Sequence, residues 1–398
     1  MNNFNFCRPT DFYFGKGVEN DVGKIAKKHG GHKVLIHYGG HSAIKSGLID
    51  RVKKSLEAEG IAYVLLGGVK PNPRAELVYE GIDLCRKEKV DMVIAVGGGS
   101  VIDSSKAICN GVPYDGDFWD FHMGGVVPQK SLTLGTVLTI AAAGSEGSNS
   151  CVINKTINGV VKKKGCNSQT NVPDFSIMDP ELTTTLPAYQ TACGACDIMC
   201  HVMERYFTNT KDVELTDAMC EGVLRAMVTL IPRVMADPKD YQPRANIMWA
   251  STMAHNNILG VDREQDWGSH RIEQELSAFY DCAHGAGLAV VLPAWMECVM
   301  DHDVKRFAQF ANRVFGIPVD MYHPEETAKA GIRALRALWG SAGLPLNFEQ
   351  LGAKREDIPV LVDHLVKDDK TEGHFVVMDG PFITKVLEHA ADYGMKKD

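Results

Sequence analysis

Four candidate metal ligands lie in the second half of this sequence: Asp197, His201, His270 and His284. The first two are four residues apart, so on a helix predicted over residues 187–207 they project from one face and can bind one ion. An Asp/His pair at this spacing is, by itself, more often a local hydrogen bond. Taken together, three imidazoles and one carboxylate suit a borderline divalent ion such as Fe(II), Zn(II) or Mn(II).

A glycine-rich turn in the first half of the sequence could bind a nucleotide phosphate. The run from Gly97 to Ser100 follows a predicted strand and opens a helix that contains Asp103 and Lys106. Glycines let a phosphate approach the backbone, and the free N–H groups at the start of a helix attract its charge. Glycine turns between strand and helix are common, so the turn alone does not establish a nucleotide site.

The loop after the first long predicted strand bears on the choice between NAD and NADP. NAD-binding folds commonly place an acidic residue there, which binds the ribose hydroxyls and would repel a 2′-phosphate. Residues 37–47 contain no acidic side chain, whereas Gly39, Gly40 and Ser42 offer N–H and hydroxyl donors. These donors could bind a 2′-phosphate, and Lys45 is either a further phosphate contact or a solvated loop residue.

The pattern of predicted secondary structure changes near residue 187. Before it, predicted strands alternate with helices predicted over 42–59 and 75–88; the strands cover residues 33–37, 62–66, 91–96 and 133–140. This alternation indicates a mostly parallel sheet covered on both faces. After it, long helical periods dominate, over residues 213–235, 244–259, 284–300 and 325–338. We therefore predict an α/β dinucleotide-binding domain over 1–186 and an all-α metal and substrate domain over 187–398.

Composition excludes several classes of partner. A chain of 398 residues with 45% apolar content is large enough for two domains, and its net charge of −8 argues against a nucleic-acid partner. We find no long apolar segment, so we expect no membrane association. Eleven irregularly spaced cysteines indicate reduced thiols and a cytoplasmic protein. Cys193, Cys196 and Cys200 are interpreted as buried packing residues, since no second ligand pair stands at zinc-site spacing.

The stretch DWGSHRIEQELSAFYDCAHGAGLAVVLPAWM, residues 266–296, resembles the metal-binding segment of the iron-containing (group III) alcohol dehydrogenases. Within that family the sequence is most similar to the NADPH-dependent butanol dehydrogenases and aldehyde reductases, and the resemblance runs from the YFGKG segment at residues 13–17 to about residue 345. It implies a dehydroquinate synthase-like nucleotide domain, NADP(H) as cofactor, Fe(II) as the favoured metal with Zn(II) or Mn(II) as alternatives, and a homodimer.

The resemblance also implies roles for individual residues. It makes His270, Gln274 and His284 catalytic, with the ion held by Asp197, His201, His270 and His284. The implied cofactor contacts are Gly39, Gly40, Ser42, Asn72, Gly98, Gly99, Ser100, Asp103, Thr139, Ser145, Lys163 and Leu182, with Glu146 beside them. Two departures stand out: Gln274 replaces a common histidine that is a candidate for proton transfer, and Ala143 replaces a common threonine.

The function implied is hydride transfer between NADPH and short to medium aliphatic aldehydes such as butanal. Within the same fold, a polyol dehydrogenase or a dehydroquinate synthase-like lyase is an alternative. A different class is also open, namely a catalytically weak homologue that binds metal and nucleotide, because glutamine at position 274 can hydrogen-bond but cannot carry a proton at neutral pH.

Overall fold

The computed structural model describes residues 2–367 and 370–394, apart from the side chain of residue 41. Its strands are β1 Asp11–Phe14, β2 Lys33–Tyr38, β3 Ala62–Leu66, β4 Met92–Gly97, β5 Thr133–Leu138, β6 Ser150–Ile157, β7 Val160–Asn167 and β8 Phe175–Met178. The helices of the first half are α1 Val22–Lys28, α2 His41–Lys45, α3 Leu48–Ala58, α4 Ala75–Glu88, α5 Gly99–Gly111 and α6 Trp119–His122.

Among the described residues, the second half contains helices joined by loops and no strand. Its helices are α7 Ala188–Tyr206, α8 Glu214–Ala236, α9 Tyr241–His255, α10 Gly268–Tyr280, α11 His284–Val299, α12 Val304–Phe315, α13 Pro324–Ser341, α14 Phe348–Leu351, α15 Ile358–Leu365 and α16 Gly380–Asp392. The predicted fold class, a parallel α/β half followed by a helical half, is confirmed. None of the described helices combines the length and apolarity needed to cross a membrane.

Six strands form one parallel sheet in the order β1-β8-β5-β4-β2-β3. Apolar side chains of the central strands fill a buried core on each side of it. Gly135 in β5 makes room for the ring of Phe175 in β8, because a Cβ there would lie 2.1 Å from that ring. The loops that follow β2, β4 and β5 all leave from the carboxyl edge of the sheet, where parallel α/β folds bind ligands.

One prediction about the elements needs correction, and four strands were not predicted. The helix predicted over 42–59 is two helices, α2 and α3, because Gly47 adopts φ +70° between them. Strands β1 and β8 escaped prediction because each has only four residues. The antiparallel hairpin β6–β7 was also missed, although its Asn158-Gly159 turn, with φ of 52° and 79°, is a strong hairpin signal.

The chain divides into two compact units. The α/β unit comprises Cys7–Leu186 and Lys239–Asn256, and the helical unit comprises Met1–Phe6, Pro187–Pro238 and Asn257–Asp398. Helix α9, which the sequence analysis placed in the helical domain, therefore belongs to the α/β unit. Its helical periodicity reveals an apolar face but cannot reveal which unit that face packs against.

Candidate metal centre and cofactor site

Helices α7, α10 and α11 of the helical unit bring the four candidate metal ligands together. Nε2 of His201, His270 and His284 lies 3.7, 3.8 and 3.6 Å, respectively, from Oδ1 of Asp197. One ligand atom from each of Asp197, His201 and His270 lies within 4.8 Å of the others. The imidazole rings of His201 and His270 are stacked with centroids 4.9 Å apart, and both side chains are almost fully buried.

This arrangement fits a tetrahedral metal ion. Ligand atoms that each lie about 2.0–2.2 Å from such an ion are about 3.4 Å apart, close to the spacings around Asp197 Oδ1. Those spacings are too long for hydrogen bonds between the same atoms. Within the described part of the chain, no hydrogen bond reaches the buried Nε2 of His270, which is the atom that would face the ion. A cation bound at this position would supply the missing partner of the nitrogen.

Two buried carboxylates orient the histidines from behind. Glu204 Oε1 accepts hydrogen bonds from His270 Nδ1 at 2.7 Å, from the His270 amide at 3.1 Å and from the Ser269 hydroxyl at 2.5 Å. Glu273 is fully buried and accepts a short hydrogen bond from His284 Nδ1. A carboxylate that accepts from Nδ1 fixes the tautomer in which Nε2 is free to bind a metal.

These carboxylates perturb the protonation of the site in the metal-free protein. Burial disfavours the His270 cation, but the neighbouring Asp197 and Glu204 carboxylates outweigh burial and raise the pKa of His270 to about 9. Burial would raise the pKa of Glu204, yet the hydrogen bonds from His270 and Ser269 leave it lowered. Glu204 is therefore a charged group at neutral pH.

Neither carboxylate was among the predicted site residues, although each carried a signal in the sequence. Glu204 stands three residues after His201 and seven after Asp197, which places it on the ligand face of α7. Glu273 stands three residues after His270 on α10. The periodicity could have marked both as site residues, but the pairing of Glu204 with a histidine of another helix depends on tertiary packing.

Close packing of α11 on α7 sets the position of His284. A Cβ on Gly285 would lie 2.1 Å from the backbone oxygen of Cys193, so only glycine permits this approach. Gly287 makes similar room for Glu273, whose Oε1 would lie 2.7 Å from an added Cβ. The two glycines in the run HGAG thus let one end of α11 approach both α7 and α10 closely.

Trp267 precedes α10 with a backbone φ of +65°, an uncommon conformation for a bulky residue. Its amide donates to Glu204 Oε2 at 2.7 Å, and its ring lies 5.1 Å from that of His270 and under the guanidinium of Arg205. Strain of about 1–3 kcal/mol at such a residue persists only where the surroundings enforce it. Here the Glu204 carboxylate holds the start of α10 so that His270 faces the ligand cluster.

The structure places Gln274 on α10, one turn after His270. Its side chain is half-buried, and its Oε1 accepts from Arg271 Nη1 at 3.3 Å. Its role in catalysis, like the roles of His270 and His284, stays a prediction.

In the α/β unit, the loops predicted to bind phosphate are neighbours. A Cβ on Gly39 would lie 3.7 Å from the Val101 side chain in the first turn of α5, which begins at Gly99. The Thr139 amide donates to the Gly97 carbonyl at 3.0 Å. Gly40 and Ser42 lie at the start of α2, and Ser100 is half-buried in the first turn of α5.

Other predicted cofactor residues are also brought together from distant parts of the chain. Lys163 Nζ in β7 donates to Asn72 Oδ1 at 3.2 Å, and Asn72 has φ +54°. Ser145 donates to Asp103 Oδ1 at 2.6 Å and accepts from the buried Lys106 at 2.7 Å. Because its single hydroxyl proton goes to Asp103, Ser145 in this arrangement has no proton to donate to a phosphate.

Two further predicted residues lie in packed surroundings. Leu182 packs against one of the two cores that flank the sheet. The Glu146 carboxylate is buried and accepts from the Thr252 hydroxyl at 2.6 Å. The Glu146 carboxylate therefore links its loop to α9, a contact that was not predicted from the sequence.

A nucleotide-type α/β unit joined to a helical unit with one aspartate and three histidines defines a metal-dependent dehydrogenase class. Residues 9–180 match the family model for the iron-containing alcohol dehydrogenase, and residues 191–391 match the model for the C-terminal part of the Fe-containing alcohol dehydrogenase family. The chain belongs to the iron-containing alcohol dehydrogenase family. It is an oxidoreductase, and the family implies both a metal ion and a nicotinamide cofactor.

Curated relatives and solved structures agree with this assignment. A probable NADH-dependent butanol dehydrogenase 2 of Bacillus subtilis is 40% identical over 369 residues, covering 92% of this chain and 94% of the relative. The NADPH-dependent aldehyde reductase YqhD of Escherichia coli is 34% identical, with 95% and 97% covered. The crystal structure of NADH-dependent butanol dehydrogenase A from Thermotoga maritima matches with TM-score 0.94 and 38% identity, covering 98% and 99%.

Proposed function

We propose that this protein is an NADPH-dependent aldehyde reductase that acts on short to medium aliphatic aldehydes such as butanal, with its ion held by Asp197, His201, His270 and His284. The observation that carries the proposal is the convergence of three imidazole Nε2 atoms on one carboxylate oxygen at 3.6–3.8 Å. The similarity to proteins named butanol dehydrogenase and aldehyde reductase supports the substrate class.

When bound, a divalent ion polarises a carbonyl oxygen as a Lewis acid, and the nicotinamide supplies the hydride. The protein's residues position these groups. Glu204 and Glu273 hold the imidazoles of His270 and His284 with Nε2 turned toward Asp197. We propose Fe(II) as the cellular metal, while Zn(II) binds comparable ligand sets more strongly and Mn(II) more weakly.

The first experiment is oxidation of NADPH by butanal on protein stripped of metal and then reloaded with Fe(II), Zn(II) or Mn(II), with NADH in parallel. We expect metal-dependent turnover that is faster with NADPH. The variant Asp197→Asn keeps the side-chain volume but removes the shared carboxylate, so it should lose both bound metal and activity. Turnover by metal-free protein would exclude the metal-dependent reaction, and turnover by Asp197→Asn at the rate of the parent would exclude Asp197 as a required ligand.

The preference for NADPH is proposed from the donors of Gly39, Gly40 and Ser42 and from the lack of an acidic residue between positions 37 and 47. Relatives named for NADH and for NADPH are both found, so the choice needs its own test. Gly40 has φ −83°, and nothing lies within 4 Å of an added Cβ. A side chain therefore has room at this position, and the cost of holding ψ at −137° is shared by every residue other than glycine placed there.

The test substitutes Gly40→Asp, with Gly40→Asn as a control of equal size and no charge. A carboxylate beside a 2′-phosphate costs affinity through charge repulsion. We expect Gly40→Asp to raise the KM for NADPH about tenfold and to leave the KM for NADH unchanged or lower. The rise in the KM for NADPH should be larger than in Gly40→Asn. If each substitution changed the KM for NADPH and the KM for NADH by the same factor, our placement of the 2′-phosphate would be contradicted.

The second candidate is the catalytically weak homologue, which is favoured by Gln274. Gln274→His supplies a proton-transferring group one turn after His270, and general acid–base catalysis contributes about 10²–10⁴-fold where it is needed. A large rise in kcat with unchanged cofactor affinity would show that the native chain lacks an essential proton route. Unchanged kcat would show that solvent or another group carries the proton.

A substrate panel with butanal, a longer aldehyde and a diol tests the polyol alternative, which predicts preference for the diol. A cytoplasmic location is part of the proposal, because eleven irregularly spaced cysteines are typical of a protein whose thiols stay reduced. The implied homodimer stays a prediction, to be measured by light scattering.

A further inference from the structure

The segment of residues 140–147, which we call loop 140–147, lies directly against the glycine turn. A Cβ on Gly98 would lie 3.0 Å from Ile140, and one on Gly99 would lie 3.2 Å from the Cβ of Ala143. Glycine in the turn thus leaves only narrow space between α5 and the loop. The position of the loop therefore determines the shape of the surface that a nucleotide phosphate would meet.

Helix α9 holds loop 140–147 in place from the opposite side. His255 Nδ1 donates to the Ala143 carbonyl at 2.6 Å, and the Thr252 hydroxyl donates to the Glu146 carboxylate at 2.6 Å. Gly144 has φ +64°, and an added Cβ would lie 2.3 Å from the Ser251 carbonyl oxygen. The last turns of α9 therefore contact the loop at three successive points.

The two hydrogen bonds differ in what their loss would do. Glu146 is almost fully buried, so removing the Thr252 hydroxyl weakens the hydrogen bonding of a buried acidic group and threatens the fold. Ala143 and His255 are half-buried, so water can replace the imidazole at the Ala143 carbonyl. Loss of the His255 donor should therefore loosen the loop with little cost to overall stability.

We propose that His255 is a positioning residue for the nicotinamide cofactor, acting through the Ala143 carbonyl to hold loop 140–147 against the glycine turn. The inference rests on the proposed function, since it requires that the turn from Gly97 to Ser100 binds the cofactor. It also gives α9 a role in cofactor binding, although this helix comes from the second half of the sequence. In this role His255 acts through the backbone of the loop and takes no part in the chemical step.

The test compares His255→Leu with His255→Asn. Leucine removes the donor, whereas the asparagine side-chain NH₂ takes nearly the place of Nδ1 and can donate to the same carbonyl. We expect His255→Leu to raise the Kd for NADPH, measured by its fluorescence on binding, about five- to tenfold, the effect of one net hydrogen bond. At saturating NADPH, kcat and metal affinity should stay within twofold of the parent.

His255→Asn should restore the Kd to within twofold of the parent, and Asn246→Leu, at an exposed position of the same helix, serves as the control for a surface change on α9. Hydrogen exchange of the amides of residues 140–147 should be faster in His255→Leu alone. A parental Kd in His255→Leu, or equal weakening in His255→Asn, would overturn the role of the hydrogen bond. A parent protein that binds neither NADPH nor NADH would overturn the proposed function itself, before any variant is compared.

Discussion

Replacement of Glu204 by glutamine should weaken metal binding while the protein remains folded. Glu204 accepts hydrogen bonds from Ser269, from Trp267 and from both the amide and Nδ1 of His270. Glutamine has one acceptor oxygen instead of two. If that oxygen takes the Oε1 position, the glutamine NH₂ faces the Trp267 N–H, and two donors oppose each other.

The expected size follows from these contacts. Loss of one buried hydrogen bond costs about 1–3 kcal/mol of folding free energy, which a chain of this size tolerates. Loss of the carboxylate charge weakens the hydrogen bond that His270 Nδ1 donates, and it makes Nε2 of the same ring a weaker metal ligand. A hydrogen-bond partner behind a metal ligand is worth about 10–100-fold in metal affinity. That range corresponds to about 1.4–2.7 kcal/mol of binding free energy.

The assay is competition for Zn(II) between the stripped protein and a chromophoric chelator, with unfolding followed by circular dichroism. Glu264→Gln removes an exposed carboxylate from the segment that leads into α10 and should leave metal affinity unchanged. If Glu204→Gln binds Zn(II) within twofold of the parent and keeps its fold, the Glu204 carboxylate does not strengthen His270 as a metal ligand, and its assigned role in the metal centre is wrong.

Two further predictions concern packing and pH. Gly285→Ala places a methyl group 2.1 Å from the Cys193 carbonyl oxygen, so it should destabilise the protein by about 1–3 kcal/mol and weaken Zn(II) binding. Gly222→Ala, with open space around its Cβ, should do neither. Thermal melts measure the stability of both variants, and the chelator assay measures their affinity for Zn(II). Burial lowers the pKa of His37 from 6.5 to about 4, so between these values the unfolded chain binds a proton that the folded chain excludes. His37 should therefore contribute about 2 kcal/mol to the loss of stability between pH 7 and pH 5. Urea titrations should show a loss that is smaller by about this amount in His37→Gln, and an equal loss in both proteins would contradict the lowered pKa of His37.

The sequence predicted the features that depend on local spacing. The i,i+4 pair on α7 and the helix that begins at His284 both follow from periodicity and glycine placement. The contact between Glu204 and His270 spans 66 residues, and the contact between Glu146 and Thr252 spans 106. Such pairs are set by how helices pack, which the period of a single helix does not specify.

The membership of α9 in the α/β unit has a consequence for biosynthesis. A growing chain emerges from its N-terminus, and its domains generally fold as they are completed. When Leu186 emerges, the sheet is already present, but Thr252 and Ser251, which bind the Glu146 carboxylate, have not yet been made. The nucleotide unit can therefore finish folding only after most of α7, α8 and α9 has been synthesised. A gene cut between codons 186 and 187 should for the same reason yield an unstable first fragment rather than an independent nucleotide-binding domain.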